Sequence, residues 1–353
     1  MKLTEICDFQ GGSQPPKSEW SFEKKDGYIR MLQIRDFTQE ERVVPEYVKI
    51  TNRLKFCESD DILIGRYGAS VGKILTGKVG AYNVAIMKSI PDTNLVKKEY
   101  MKYYFQSPIF QDYILNLGGR AAQAGFSKDD LTALSFTLID IPMQEKVISQ
   151  FSSIEKAIKE KQQQLLSFGE LVKSRFIEMF GNPQINDKGF KTTKFINVVT
   201  LQRGYDLPVN KRDNSGDIPV YGSNGLLGFH NQAKIDQGII TGRSGTLGEV
   251  YMCDTPFWPL NTTLFSIDTH GNNLIYLQYL LIFYDLRRFA SGAGVPTLNR
   301  NEFHDNEMIS VPIELQNEFA EFVKLIDKSK FIVQEQIKDL QELLDSKMDE
   351  YFR

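Results

Sequence analysis

Leu171-Val172-Lys173-Ser174-Arg175-Phe176-Ile177-Glu178-Met179-Phe180 returns, 172 residues later, as Leu343-Leu344-Asp345-Ser346-Lys347-Met348-Asp349-Glu350-Tyr351-Phe352. Leu, Ser, Glu and Phe coincide, and most other positions are chemically similar. The same offset pairs Gln144 with Gln316, Ile154 with Ile326, Lys156 with Lys328, Gln162 with Gln334 and Glu170 with Glu342, without a gap. A period of half the chain means that one unit has been duplicated.

Both copies of this segment have helical periodicity. From Phe151, steps of three and four pick out Phe151, Ile154, Ile158, Lys161, Leu165, Phe168, Val172, Arg175 and Met179. The second series is Val323, Ile326, Lys330, Val333, Ile337, Leu340, Leu344, Lys347 and Tyr351. Apolar residues dominate both series, and Lys, Glu and Gln fill the positions between, which is a heptad seam. The single internal Lys falls at different heptad positions, Lys161 opposite Val333, so it can help to fix pairing register. Pro142 and Pro312 suit helix entry, and Gly181-Asn182-Pro183 is a helix stop. A helix over 144–180 would be roughly 55 Å long at 1.5 Å per residue. A core helix of a bundle or a homodimeric coiled coil would fit the same pattern. Two helices of equal length in one chain point instead to antiparallel pairing, with a globular part at each end and a pseudo-twofold between them.

Upstream, the repeat weakens. Ile141-Pro142 resembles Val311-Pro312, and 126–131 resembles 298–303. Ile64-Gly65-Arg66-Tyr67-Gly68 resembles Thr241-Gly242-Arg243-Ser244-Gly245, and Tyr82-Asn83 resembles Leu260-Asn261. The first 60 residues of each half diverge. Short apolar runs between Gly and Pro, such as 28–34, 61–64, 218–221 and 238–241, read as strands. Helical stretches follow at 96–117, broken at Pro108, and at 273–290. The expectation is an α+β chain of four parts: globular domains at 1–143 and 182–312, and spacer helices at 144–181 and 313–353.

Length and composition agree with two domains. The 353 residues are 41% hydrophobic and 25% charged, which is globular rather than disordered. No apolar run is long enough for a transmembrane helix, and the acidic turn at Glu5 follows no apolar segment of a secretory signal. Cys7, Cys57 and Cys253 are too far apart for a zinc site or a disulfide framework, so a reducing, cytoplasmic setting is expected. The net charge of −3 argues against a global field for nucleic acid. The last 41 residues, however, hold ten acidic and six basic side chains, so the deficit sits in the final helix and the globular parts are near neutral.

Catalytic constellations are missing. Residues 222–228 and 242–248 both read G-x-x-G-x-x-G, not G-x-G-x-x-G, and tight turns explain them better than a dinucleotide or S-adenosylmethionine cradle. His230, His270 and His304 are isolated, so no metal site is expected. Pro91-Asp92 lacks the following Glu-x-Lys of a nuclease. No P-loop, G-x-S-x-G or methyltransferase base-binding segment occurs. The recurring G-R-x-G element is the better feature. It sets Arg66 and Arg243 on glycine-rich turns after strands, where an arginine can meet a phosphate or a guanine. Tyr67, Ser70, Lys73, Asn224, Ser244 and Thr246 offer further polar groups nearby. Lys128 and Arg300, at matching positions before the long helices, have the character of backbone-positioning cations. Each arginine can equally serve a local salt bridge.

Taken together, the duplicated halves, the helical tails with their Phe-Ile-Glu-Met-Phe-Gly-Asn-Pro and Met-Asp-Glu-Tyr-Phe endings, and the Pro-then-Gln helix starts resemble the type I restriction-modification specificity subunits (HsdS). Residues 219–225 followed by 239–245 are similar to that family's target-recognition domains. The first half lacks a clear counterpart of Tyr221-Gly222-Ser223-Asn224-Gly225, so the two domains read different sequences. The resemblance implies a non-catalytic subunit that binds double-stranded DNA, each recognition domain reading one half of a bipartite asymmetric target. It implies that the coiled coil fixes the spacing and docks two methylation subunits, which would carry the S-adenosylmethionine, this chain holding no cofactor. Restriction subunits would join where present. A coiled-coil assembly adaptor without DNA specificity is the alternative.

Overall fold

The computed structural model describes residues 1–353 except 40–41, 119–124, 214 and 293. The chain divides into two compact units, Met1–Glu160 with Gln336–Arg353, and Lys161–Glu335. Six helices are present among the described residues: α1 (Ile34–Thr38), α2 (Lys98–Gln106), α3 (Pro108–Gly118), α4 (Ile141–Phe180), α5 (Leu274–Tyr284) and α6 (Ile313–Phe352). The architecture is α+β.

Both units are built on the same four-stranded antiparallel sheet. In the first, the strand order is Cys7–Gly11, Ile86–Pro91, Leu63–Gly65, Ile74–Leu75. In the second it is Thr200–Arg203, Thr263–Asp268, Gly238–Gly242, Val250–Cys253. The central strands Leu63–Gly65 and Gly238–Gly242 are buried throughout, which is why they read as continuous apolar runs rather than as alternation. Each unit has a second sheet that contains a parallel pair: Tyr28–Leu32 beside Gly80–Tyr82, and Ile218–Gly222 beside Trp258–Pro259.

Register within these pairs corrects one sequence equivalence. Met31 and Leu32 lie against Ala81 and Tyr82, while Val220 and Tyr221 lie against Trp258 and Pro259. Tyr82 therefore corresponds to Pro259 and Asn83 to Leu260. The resemblance of Tyr82-Asn83 to Leu260-Asn261 is one residue out of step, because the strand pairing, not side-chain similarity, fixes the position.

One expected helical stretch breaks at Pro108 as its sequence requires, and the other ends early. The stretch after Pro108 is a separate helix, Ser107 between α2 and α3 having extended ψ 151°. The helix expected over 273–290 stops at Tyr284, where Asp285 turns left-handed at φ 53° and a 3-10 turn, Leu286–Phe289, follows. Asp285 accepts from the Arg287 N–H, so its side chain rewards the turn over another helical residue.

The long helices take part in both cores. Asp140 caps α4 by accepting from the Met143 N–H at 2.9 Å, and Gly181, at φ +69°, ends it. In the first unit the beginning of α4 meets the end of α6: Phe151 lies 6.1 Å from Phe352 and 6.0 Å from Tyr351, between ring centroids. In the second the end of α4 meets the beginning of α6: Phe176 and Phe180 each lie 5.5 Å from Phe319. The helices are antiparallel in both. Of the seam series, Phe151, Val172, Val323, Ile326, Val333 and Leu344 are buried. Ile154, Ile158, Leu165, Phe168, Ile337 and Leu340 are half-buried.

Each long helix is locked to its unit by one buried glutamine. The Gln144 carboxamide accepts from the Lys97 N–H (2.8 Å) and donates to the Leu95 and Ile139 carbonyls (2.9 Å each). Gln316 accepts from the Asn273 N–H (2.9 Å) and donates to Asn272 Oδ1 (2.6 Å) and the Val311 carbonyl (2.9 Å). Lys97 and Asn273 are the N-cap residues of α2 and α5. The glutamine that recurs at an offset of 172 thus satisfies a helix N-terminus that packs against the long helix.

Candidate nucleic-acid interface

The G-R turns follow the buried central strands. Gly65 and Gly242 cannot be replaced without cost: a Cβ would stand 2.1 Å from the Ser70 carbonyl oxygen and 1.9 Å from that of Thr246. The arginines that follow are anchored alike. Each N–H donates to the loop before the long strand, Arg66 to the Ala85 carbonyl and Arg243 to the Thr262 carbonyl, both at 2.8 Å. Arg66 Nε donates to the Phe126 carbonyl (3.2 Å) and Nη1 to the Val84 carbonyl (3.4 Å). Arg243 Nε donates to the Asn261 carbonyl (3.0 Å). Both side chains are half-buried and brace a loop. Arg66 Nη2 and both Nη atoms of Arg243 have no partner among the described residues.

The neighbouring candidates gather on these turns. Tyr67 is exposed, 5.0 Å from the Arg66 guanidinium, and bridges to Gly125. Ser244 occupies the same position in the second unit and bridges to Thr297. Ser70 closes the first turn through its carbonyl, with exposed Lys73 beyond it, and Thr246 is exposed in the second. Burial and the charge of Arg203 push the Arg243 guanidinium below its usual value. Arg203 itself pairs with Asp206 at 3.7 Å.

Lys128 and Arg300 do something more local. Lys128 Nζ pairs with Asp8 on the first strand of its unit. That contact, with the Phe9 N–H, holds the Asp8 carboxyl below the ordinary range. Arg300 Nη1 donates to the Leu201 carbonyl on the first strand of the other unit, at 3.3 Å. Both tie the segment before a long helix to the sheet.

Sequence reasoning missed a pair of grooves. In each unit a glycine ends the first strand against the loop beyond the parallel pair: Gly12 donates to the Ile86 carbonyl and Gly204 to that of Thr263, both at 3.0 Å. Four residues on stand Pro16 and Pro208, each N-capping a 3-10 turn, Lys17–Glu19 and Val209–Lys211. The shared G-x-x-x-P spacing was the available signal. This turn forms one wall of a groove in each unit, and the end of the second-sheet strand forms the other. The groove of about 480 Å³ in the first unit is lined by Gln14, Lys17, Phe22, Gln33, Arg35 and Glu46, among others. That of about 470 Å³ in the second is lined by Asp206, Arg212, Ser223, Asn224, Asn261 and Thr262, among others. Arg35 and Asn224 each line the groove of their unit, three residues beyond the last residue of the parallel pair.

The frame repeats, but its rims differ. Gly222 and Gly225 close a hairpin across Ser223 and Asn224, the tightest connection antiparallel strands allow. In the first unit the strand Tyr28–Leu32 runs into α1 instead. The missing counterpart of 221–225 is a helix in place of a turn.

The model for the type I restriction modification DNA specificity domain matches residues 1–167 and 187–342. The chain belongs to that family. Its role is that of a DNA specificity subunit in a type I restriction-modification system, and the adaptor alternative finds no support. The fold is similar to the type I restriction-modification S subunit of M. genitalium, at 14% identity and TM-score 0.55, over 100% of this chain and 95% of that one. It is also similar to a chain from work on complex assembly and conformational transition of the type I system, at 12% identity and TM-score 0.61, over 99% and 98%. No curated protein matches in sequence. Among the described residues there is no cluster of metal-ligating side chains, and no helix is long and apolar enough to cross a membrane.

Proposed function

We propose that residues 1–143 and 182–312 are two target-recognition domains, each reading one half of a split, asymmetric DNA site, while 144–181 and 313–353 set the gap. The observation that carries this is a duplicated frame with divergent grooves: the same main-chain hydrogen bonds hold different side chains at the rim. Two copies of one scaffold with different reading residues are what an asymmetric bipartite target requires.

On this reading the terminal nitrogens of Arg66 and Arg243 contact phosphates, with Tyr67, Ser70, Lys73, Ser244 and Thr246 as further backbone contacts. Asn224 faces base edges, and Lys128 and Arg300 hold their loops in position. The chain itself catalyses nothing. Two methylation subunits dock on the helices and supply S-adenosylmethionine, whose methyl group goes to the target base. Restriction subunits add cleavage, and the assembly works in the cytoplasm. Exposed apolar side chains on the helices, Leu166, Leu171, Leu325 and Leu343 among them, support a docking role. So does the acidic last helix, which is better suited to protein than to DNA.

Each helix has 40 residues, about 60 Å of rise, against roughly 34 Å between half-sites one turn apart. Deleting one heptad from α4 and one from α6 tests the ruler. The expected result is methylation of the same two half-sites around a changed gap. An unchanged gap with methylation retained contradicts it.

A further inference from the structure

The groove of the first unit holds a charged constellation that its counterpart lacks. Gln33 Nε2 and Arg35 Nη2 both donate to one oxygen of Glu46. The Gln33 N–H donates to Asp36 Oδ2 at 2.8 Å, and Asp36 also pairs with Arg30. Gln33 is therefore held by main chain and side chain together. The Glu46 side chain is 18% exposed, and that of Arg35 is 47% exposed. One edge of the Arg35 guanidinium is fixed on a largely hidden carboxylate. Its Nε and Nη1 have no partner among the described residues.

The internal repeat says why this position matters. Arg66 and Arg243 perform the same bracing in both units, so they cannot make the two units read different sequences. Arg35 and Asn224 each line the groove of their unit just beyond the parallel pair, and they differ in chemistry. A guanidinium clamped on one side has already lost rotamer freedom and offers its remaining N–H groups as a fork. That fork matches O6 and N7 of guanine in the major groove, whereas an asparagine matches N6 and N7 of adenine.

We propose that Arg35, braced by Glu46, reads a guanine in the half-site bound by the first unit. This rests on the function proposed above. The test is methylation mapping of the assembled complex with the wild-type chain, Arg35→Ala and Arg35→Lys. Lysine keeps the charge and the ion pair to Glu46 but has no fork. The wild type is expected to require a guanine in one half. Both variants should weaken that requirement roughly 5- to 150-fold, the other half unaltered. Should Arg35→Ala abolish methylation altogether, Arg35→Lys decides by the same criterion. An unchanged motif in the variants, or a first half without guanine, overturns the assignment of Arg35 and leaves the split-site reading standing. A wild-type complex that gives no split motif overturns both.

Discussion

Replacing Gln144 or Gln316 by leucine removes a lock while nearly preserving side-chain volume. Gln144 is fully buried and Gln316 is 1% exposed, so neither site offers water as a substitute partner. Each replacement deletes three hydrogen bonds and leaves a buried N–H and two acceptors unsatisfied. At about 1–1.5 kcal/mol per bond the loss is about 3–5 kcal/mol, a large part of the roughly 5–15 kcal/mol that holds a domain together. Because the chain has two units, a single unfolding midpoint would blur the effect. Hydrogen exchange followed by mass spectrometry resolves it. Gln144→Leu should speed exchange in α2 and the first turns of α4, leaving α5 at the wild-type rate. Gln316→Leu should do the reverse, at α5 and the start of α6. A cost under about 1 kcal/mol, or the same response in both units from either variant, would refute the argument.

Two further outcomes follow from the site and its surroundings. Arg66→Ala and Arg243→Ala should each weaken DNA binding by the complex and lower the steepness of its salt dependence by about one phosphate contact, measured by titration at several salt concentrations; an unchanged slope would leave these residues as loop braces only. Asp61 is buried, which disfavours its charge, yet Lys88, the Glu58 N–H and Lys98 outweigh that and hold its carboxyl below the ordinary range. A carboxyl depressed on folding contributes stability that is full above the unfolded value of about 4 and fades as pH falls through the folded value. Asp61→Asn should therefore cost about 3 kcal/mol at neutral pH, and the difference from wild type should shrink in acid, as followed by urea unfolding from pH 7 to 3.

The helical half of the fold was legible because periodicity survives divergence. A heptad seam needs only apolar side chains at fixed steps, and Pro142 and Gly181 mark the ends of α4 by local chemistry, with the Asp140 cap seen only in the structure. The G-R turns were legible for a different reason. Gly65 and Gly242 have carbonyl oxygens about 2 Å from where a Cβ would be, so the residue type is dictated. Gln144 and Gln316 were visible as a recurring pair, but their role was not, since four of their six partners lie more than 40 residues away. The grooves were not legible. Their walls come from segments paired through sheet register, and one unit builds its rim with α1 where the other uses a two-residue turn. The roles of Arg66 and Arg243 likewise depended on which carbonyls lay within reach.

The most direct measurement maps methylated bases across a genome in a clean host expressing this chain with its methylation subunit. It is then repeated with residues 1–143 exchanged for those of a relative. The expected result is two short specified halves around a fixed unspecified gap, with one half alone changing after the exchange. A continuous motif, a change in both halves, or no methylation from a soluble assembled complex would contradict it.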